Sequence, residues 1–329
     1  MKDYKAVRVE QLGSGDFRCT VKTLPLSSLP DNDVLVRVVF SALNYKDALS
    51  ASGHPGVSRH FPHTPGIDAA GEVVEDRSGR FARGDPVLIS GYDFGMGSPG
   101  GLAQYCRVPA EWVCPCPGSL SLFDAMVYGT AGVTAALALQ KIERVREFRA
   151  QDSFVVTGAS GGVGSVVVLL AASKGLKVTA ISAKESQFER LKALGASDCL
   201  PAHTLSEASA KPLLGERWCC GLDTLGGETL VNLLKSTVRE GVIASCGLAA
   251  SPALNTSVYP FILRGVSLLG IDSAEQSLSL KQSLWTFLAN CPLNDKSSLL
   301  AHTIELNEVP AALDQMLAGN GSGRALVKL

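Results

Sequence analysis

The stretch from Phe154 to Ser165 constrains the fold of this chain more than any other. Its letters, FVVTGASGGVGS, pass from apolar and β-branched residues into a cluster of glycines, and an apolar helical stretch follows. This order predicts a strand, a tight turn and a helix, the arrangement that binds the pyrophosphate of a dinucleotide. Gly161 allows the backbone to approach the pyrophosphate, and Gly164 allows the helix to pack closely on the strand. The helix N-terminus then offers unpaired N–H groups to the phosphates.

The turn departs from the usual G-x-G-x-x-G pattern at one position, because Ala159 replaces the first glycine. A glycine pattern alone is weak evidence, so the surrounding sequence has to support it. The turn residues that we expect to contact the cofactor are Ser160, Gly161, Gly162, Val163 and Gly164.

The composition bears on the number of domains, the kinds of partner and the state of the cysteines. A chain of 329 residues is long enough for two domains with separate cores. Its 30 basic and 31 acidic residues nearly cancel, so neither a nucleic acid nor a membrane surface is expected as a partner. The nine cysteines are odd in number and include no C-x-x-C pair, which indicates reduced thiols in a cytoplasmic protein.

Two kinds of region follow one another along the chain. Residues 1–125 are β-rich and interrupted by Pro and Gly, as in a partly open barrel. Beyond them, strands alternate with helical stretches, which predicts a parallel sheet covered on both faces. The glycine-rich loop 90–101 is either a lid on the substrate side or a long connection. The sequence therefore predicts an α/β protein with a β-barrel and a doubly wound parallel sheet.

The end of the second strand of the βα region indicates which dinucleotide binds. Strand Lys177–Ile181 leads into Ser182, Ala183 and Lys184, about 20 residues beyond the glycine turn. An NAD-specific site usually has a carboxylate there to hold the ribose 2′-hydroxyl. A serine hydroxyl and a lysine cation suit the 2′-phosphate of NADPH instead. We predict NADPH, with a solvated surface lysine as the alternative reading of Lys184.

A resemblance to a known family is carried by the stretches Ala42–Asp47, Pro65–Gly71, Gly129–Ala135, Val156–Ser165, Leu194–Ser197, Pro260–Arg264 and Gly270–Ser273. The chain resembles the zinc-free branch of the medium-chain dehydrogenase/reductases, the quinone oxidoreductase-like proteins, and among them the acryloyl-CoA reductases. In that family an alanine at position 159 is ordinary.

The resemblance implies two domains and a dimer. It implies a GroES-like β-barrel catalytic domain, residues 1–125 with 272–329, and a Rossmann domain, residues 126–271, that binds NADPH. It also implies a homodimer joined near Val266–Ile271, the last strand of the Rossmann sheet.

The resemblance also bears on metal binding. Zinc-dependent members of the superfamily have a cysteine where this chain has Asn44, and a His-Glu pair where it has Ile67 and Asp68. Isoleucine cannot bind zinc, and Asp68 alone cannot hold it. We therefore expect no metal, and without a Lewis acid to polarise a carbonyl, alcohol dehydrogenase chemistry is disfavoured.

An activated alkene suits such a metal-free site. Hydride passes to the β-carbon of an α,β-unsaturated thioester or ketone, charge develops on the carbonyl oxygen, and the α-carbon takes a proton. We expect an NADPH-dependent reductase of acryloyl-CoA or a related short enoyl-CoA. The alternatives are a quinone or enone reductase and a non-catalytic NADPH-binding redox sensor.

The family pattern implies further site residues. Asn44 and Tyr45 are expected beside the nicotinamide, where Asn44 orients the ribose. The Tyr45 phenol binds the cofactor, donates to the enolate, or only shapes the pocket. Asp47 is expected to hold its loop through backbone bonds, and Arg324 either binds a phosphate or forms a structural ion pair. The remaining expected cofactor contacts are Thr130, Leu248, Ile262 and Ser273.

Overall fold

The structure, a computed structural model, describes residues 3–13, 15–291 and 293–329. The chain divides into two compact units. The barrel unit comprises Met1–Val133 with Ser273–Leu329, and the sheet unit comprises Thr134–Asp272. These divisions fall somewhat later in the sequence than the predicted boundaries at 125/126 and 271/272.

The strands and helices are numbered along the chain. The strands are β1 Asp3–Gln11, β2 Phe17–Pro25, β3 Val34–Ala42, β4 Asp68–Asp76, β5 Pro86–Ser90, β6 Tyr105–Val108, β7 Val113–Pro115, β8 Ser153–Thr157, β9 Lys177–Ser182, β10 Asp198–Pro201, β11 Trp218–Asp223, β12 Thr237–Ser245, β13 Ser267–Gly270, β14 Ala301–Glu305 and β15 Arg324–Lys328. The α-helices are α1 Tyr45–Ala51, α2 Leu122–Val145, α3 Gly162–Ser173, α4 Phe188–Leu194, α5 His203–Ser206, α6 Gly227–Lys235, α7 Tyr259–Arg264, α8 Leu278–Ala289, α9 Ser297–Leu300 and α10 Val309–Leu317.

The barrel unit is built around strand β3. This strand pairs antiparallel with β15, β4 and β6, and the sheet continues from β4 through β5 to β7. Val34, Val36 and Val38 alternate along β3 and lie in the core, which is the period-two pattern of a strand with one buried face. Isolated bridges connect the β1–β2 hairpin to neighbouring segments, from Ala6 to Ala103 just before β6 and from Val9 to His63. The result is the partly open barrel that the sequence predicts.

The sheet unit contains a parallel sheet with the strand order β10-β9-β8-β11-β12-β13. Strand β8 is completely buried at Phe154, Val155 and Val156, because helices cover both faces. After β8, the strands β9 and β10 are added on one side of β8. The next strand, β11, pairs with β8 on its other side. This reversal of direction places the switch point, where α/β sheets bind ligands, at the carboxyl end of β8.

Helix α2 is long and apolar enough to cross a membrane by length and composition alone, but 78% of its most apolar window is buried inside the protein. We therefore interpret it as a core helix. Gly129 interrupts the helix with φ 49° and ψ −153°. A Cβ at that position would lie 2.3 Å from Arg324 Nη2 and 2.5 Å from Asp68 Oδ2. Only glycine fits this conformation and this close approach.

One predicted element differs from the structure. A single helix is predicted from Lys184 to Leu194, whereas the structure has a 3₁₀ turn over Glu185–Gln187 before α4 begins at Phe188. The Ser182 hydroxyl accepts a hydrogen bond from the Lys184 backbone N–H at 3.0 Å, and Lys184 itself is non-helical. Such local side-chain bonds compete with helix formation.

Candidate active site

The glycine turn lies at the switch point, between β8 and α3. Gly158 has φ 60°, a conformation that favours glycine, and a Cβ there would lie 2.2 Å from Thr224 Oγ1. A Cβ at Gly164 would lie 2.4 Å from the Gly158 carbonyl oxygen, so glycine is required for α3 to pack on the strand. At Gly161 the nearest atom would be 3.3 Å away. Packing within the protein therefore constrains Gly161 much less than Gly164, as expected of a residue that makes room for a ligand.

The end of β9 is connected to the glycine turn by hydrogen bonds. Ser182 Oγ and Ser160 Oγ lie 2.8 Å apart, and Ser182 is buried. Arg190 Nη2 donates to the Ser160 carbonyl oxygen at 2.9 Å. Burial and the nearby charge of Arg190 both lower the pKa of Lys184. Lys184 thus lies where the sequence places it, and Arg190 is a second cation there that the sequence analysis misses.

Asp223 joins three strand ends at the same edge of the sheet. Its buried carboxylate accepts hydrogen bonds from Thr157 Oγ1 at 2.7 Å, Gly226 N at 2.8 Å and Ser245 Oγ at 3.4 Å. Burial raises the pKa of this carboxyl. The ends of β8, β11 and β12 are therefore fixed beside the turn, and the sequence analysis does not single this residue out.

Asp68 is the centre of a polar cluster in the barrel unit. Its fully buried carboxylate accepts from the Thr130 backbone N–H at 2.9 Å, from Thr130 Oγ1 at 2.7 Å and from Asn44 Nδ2 at 2.8 Å. Arg324, 2% exposed, forms an ion pair with it at 3.2 Å. Arg324 Nη1 also donates to Asn44 Oδ1 at 3.3 Å. Of the two roles predicted for Arg324, the structure shows the ion pair, and a phosphate contact stays a prediction.

Asp47 lies beside this cluster, in the first turn of α1. Its buried carboxylate accepts from the backbone N–H groups of Asn44 at 2.7 Å, Ile67 at 2.9 Å and Gly66 at 3.1 Å. This is the backbone-holding role expected of it. Burial raises the pKa of Asp47 to about 7, the charge of Asp68 adds to this, and the N–H donors act in the opposite direction.

The raised pKa of Asp47 predicts a loss of stability as pH rises. Below about pH 4 the carboxyl is protonated in both folded and unfolded chains. Between about pH 4 and about pH 7 only the folded chain keeps the proton, so the free energy of unfolding falls; above about pH 7 it levels off. Asp47→Asn cannot titrate. The stability of the wild type relative to this variant should fall by about 3 kcal/mol between about pH 5 and about pH 8, measured by urea unfolding. A pH-independent difference would contradict the raised pKa.

The remaining predicted residues lie on both units. In the barrel unit, Tyr45 is the first residue of α1 and is 44% exposed, and Ser273 is half-buried. In the sheet unit, Leu248 and Ile262 are exposed, as is Ala183. Their contacts with a cofactor stay predictions.

The loop 90–101 is packed closely on the segment that precedes β4 and leads to Asp68. A Cβ at Gly95 would lie 2.5 Å from the Gly66 backbone, and one at Gly100 would lie 2.3 Å from the Gly66 carbonyl oxygen. The buried Lys281 Nζ donates to the Ser90 carbonyl oxygen at 2.7 Å, which fixes the start of the loop. This packing favours a structural connection over a mobile lid.

In the part of the chain that the structure describes, no three His, Cys, Asp or Glu side chains lie close enough together to hold a metal ion. At the position relevant to zinc, Asp68 Oδ2 is shared by Asn44 and the Arg324 guanidinium. A cationic side chain already compensates this carboxylate, so the donor set does not suit zinc.

Two sequence-family models match the chain. The model described as "Alcohol dehydrogenase GroES-like domain" matches residues 30–118. The model described as "Zinc-binding dehydrogenase" matches residues 162–290. Among curated relatives, the putative quinone oxidoreductase YhfP of Bacillus subtilis is 37% identical, and the probable acrylyl-CoA reductase AcuI of Escherichia coli is 39% identical; each alignment covers 99% of both chains.

Solved structures show the same fold. The yhdH oxidoreductase of Salmonella enterica, in complex with NADP, is 39% identical with a TM-score of 0.95 over 99% of both chains. The Bacillus subtilis protein yhfP, with NAD bound, is 37% identical with a TM-score of 0.95 over 100% of both chains. The predicted GroES-like and Rossmann folds are thereby confirmed. The chain belongs to the medium-chain dehydrogenase/reductase superfamily of oxidoreductases, among its quinone oxidoreductase-like members, which include acrylyl-CoA reductases.

Proposed function

We propose that this oxidoreductase uses NADPH to reduce the activated C=C bond of acryloyl-CoA or a related short enoyl-CoA. The observation that carries the proposal is the ion pair of Asp68 and Arg324 at the position where zinc-dependent relatives hold their metal. A site without a Lewis acid favours a substrate whose own carbonyl activates the alkene. The Escherichia coli relative named as an acrylyl-CoA reductase supports the choice of thioester.

The choice of NADPH is supported by the end of β9. Ser182, Lys184 and Arg190 gather hydroxyl and cationic groups there, where an NAD-specific site would carry a carboxylate. The Salmonella relative with bound NADP agrees with this choice, whereas the Bacillus subtilis relative was crystallised with NAD. The turn residues 160–164 would hold the pyrophosphate, and Leu248, Ile262 and Ser273 are proposed as further cofactor contacts.

In the barrel unit, Asn44 and Tyr45 are proposed to act at the nicotinamide, which supplies the hydride when it is bound. The Asn44 side-chain amide donates hydrogen bonds to Ala42 O at 3.0 Å and to Asp68 Oδ2 at 2.8 Å. Its Oδ1 accepts from Arg324 at 3.3 Å, so the amide that we propose to orient the nicotinamide ribose is held in one orientation. The half-exposed Tyr45 would donate its phenolic hydrogen to the cofactor or to the carbonyl oxygen on which charge develops.

The proposal also includes a homodimer and a cytoplasmic location. Strand β13 lies at one edge of the parallel sheet, and Val258, Ile262 and Leu263 nearby in sequence are exposed apolar residues. An open edge and apolar surface support a homodimer joined along β13. Within the described residues no disulfide bond joins the cysteines, which supports a cytoplasmic location.

A comparison of substrates tests the function. NADPH oxidation is followed with acryloyl-CoA, crotonyl-CoA, a quinone and a simple enone, and we expect the highest kcat/KM with acryloyl-CoA. Efficient turnover of the quinone alone would favour the second candidate, to which the name of the Bacillus subtilis relative points. Turnover of none of the four, with NADPH still bound, would favour a redox sensor.

A further inference from the structure

Arg190 lies on the glycine turn although it belongs to another element. The 3₁₀ turn over Glu185–Gln187 reverses the chain after β9, so that the first residues of α4 return toward the turn. Arg190 Nε donates to Gln187 Oε1 at 2.8 Å, and Nη2 donates to the Ser160 carbonyl oxygen at 2.9 Å. The guanidinium is thereby held at the carboxyl end of β8 and β9, where this fold places the adenosine ribose.

Hydrogen bonds connect the groups around this guanidinium. Ser160 Oγ is 2.8 Å from Ser182 Oγ, and Ser182 Oγ accepts from the Lys184 backbone N–H at 3.0 Å. Both serines are buried. The turn, the end of β9 and the two cationic residues therefore form one connected frame, in which Ser182 fixes the backbone at Lys184.

The frame concentrates positive charge. Burial lowers the pKa of Arg190, and burial together with the charge of Arg190 lowers the pKa of Lys184. Two like charges held close together raise the free energy of the unliganded site, and an anion bound between them removes that cost. A phosphomonoester carries a charge of about −1.5 to −2 at neutral pH, whereas a ribose hydroxyl carries none.

We propose that Arg190 is a ligand of the cofactor's 2′-phosphate and, with Lys184, determines the preference for NADPH over NADH. This rests on the proposed NADPH-dependent function and adds a specificity-determining residue to it. Arginine suits the role because its planar guanidinium can keep the bond to Ser160 O while other N–H groups donate to phosphate oxygens.

The test measures binding of fragments to the full-length chain rather than turnover. Adenosine 2′,5′-bisphosphate and adenosine 5′-monophosphate are titrated by calorimetry into the wild type, Arg190→Gln and Arg190→Lys. Glutamine can still donate to Ser160 O but lacks the charge, and lysine keeps the charge. We expect Arg190→Gln to weaken the bisphosphate about tenfold or more while the monophosphate changes little, and Arg190→Lys to retain most of the preference.

Lys192→Gln is the matched control. Lys192 is an exposed cation on the same helix and pairs with Glu189 at 2.8 Å, so its loss should leave both affinities unchanged. Equal weakening of both fragments by Arg190→Gln, or no weakening of either, would show that Arg190 only supports the turn and would overturn the inference. If the wild type itself binds both fragments equally, the choice of NADPH fails, and this inference fails with it.

Discussion

Arg324→Met is expected to destabilise the barrel unit by about 3–5 kcal/mol, because it leaves the buried Asp68 carboxylate without its cationic partner. The side chains of Arg324 and Asp68 are 2% and 0% exposed, so water does not solvate the carboxylate once the guanidinium is removed. Methionine keeps much of the arginine volume and limits the effect of a cavity. Urea unfolding monitored by circular dichroism measures the loss. Asp68→Asn in the same chain should restore part of it, since no uncompensated charge then remains.

Arg37→Met is the matched control for the buried pair. Arg37 and Glu72 face each other across β3 and β4 at 2.7 Å, but their side chains are 47% and 42% exposed. Exposed pairs contribute about 0–1 kcal/mol. A loss at Arg324 no larger than the loss at Arg37 would show that Asp68 does not depend on the ion pair.

Gly164→Ala is expected to lower stability and to weaken NADPH binding. Alanine is favoured over glycine in a helix by about 1 kcal/mol. Here its Cβ would lie 2.4 Å from the Gly158 carbonyl oxygen, so α3 must move away from β8. Overpacking of this kind costs about 1–3 kcal/mol. The shift also displaces the N–H groups that we propose to bind the cofactor phosphates, so we expect NADPH affinity to fall by about 100-fold or more.

Gly161→Ala separates packing from ligand binding. Its Cβ would lie 3.3 Å from Gly158 O, so the free energy of unfolding should change by about 0.5 kcal/mol or less. The added methyl group would occupy the space through which we propose that the pyrophosphate approaches. NADPH affinity, measured by fluorescence titration, should therefore fall without a loss of stability. If Gly161→Ala destabilises the chain as much as Gly164→Ala, the two glycines do not have separate roles.

Elements with a local signal could be predicted from the sequence. Strand β9 and the glycine turn lie where expected, because their apolar pattern and glycines act over neighbouring residues. The start of α4 is predicted too early, since the apolar pattern does not reveal the hydrogen bond of the Ser182 hydroxyl with the Lys184 backbone.

Residues that act across long sequence separations could not be found in this way. Asp68 and Arg324 are 256 residues apart, and nothing local to Arg324 distinguishes an ion pair from a phosphate contact. Arg190 follows Lys184 by one 3₁₀ turn and the first residues of α4. A second basic residue just after a cofactor-binding strand is a signal that the sequence contains, but only the fold shows that its side chain returns to Ser160.

The separation between Asp68 and Arg324 also has a consequence for how the chain is made. Translation proceeds at about 5–20 residues per second, so tens of seconds pass between synthesis of the carboxylate and synthesis of the guanidinium. Throughout that interval the barrel strands lack both β15 and the charge that compensates Asp68, and the continuous sheet unit is synthesised completely before the interval ends. The barrel unit, although its synthesis begins first, can therefore complete its fold only after the whole sheet unit has been synthesised.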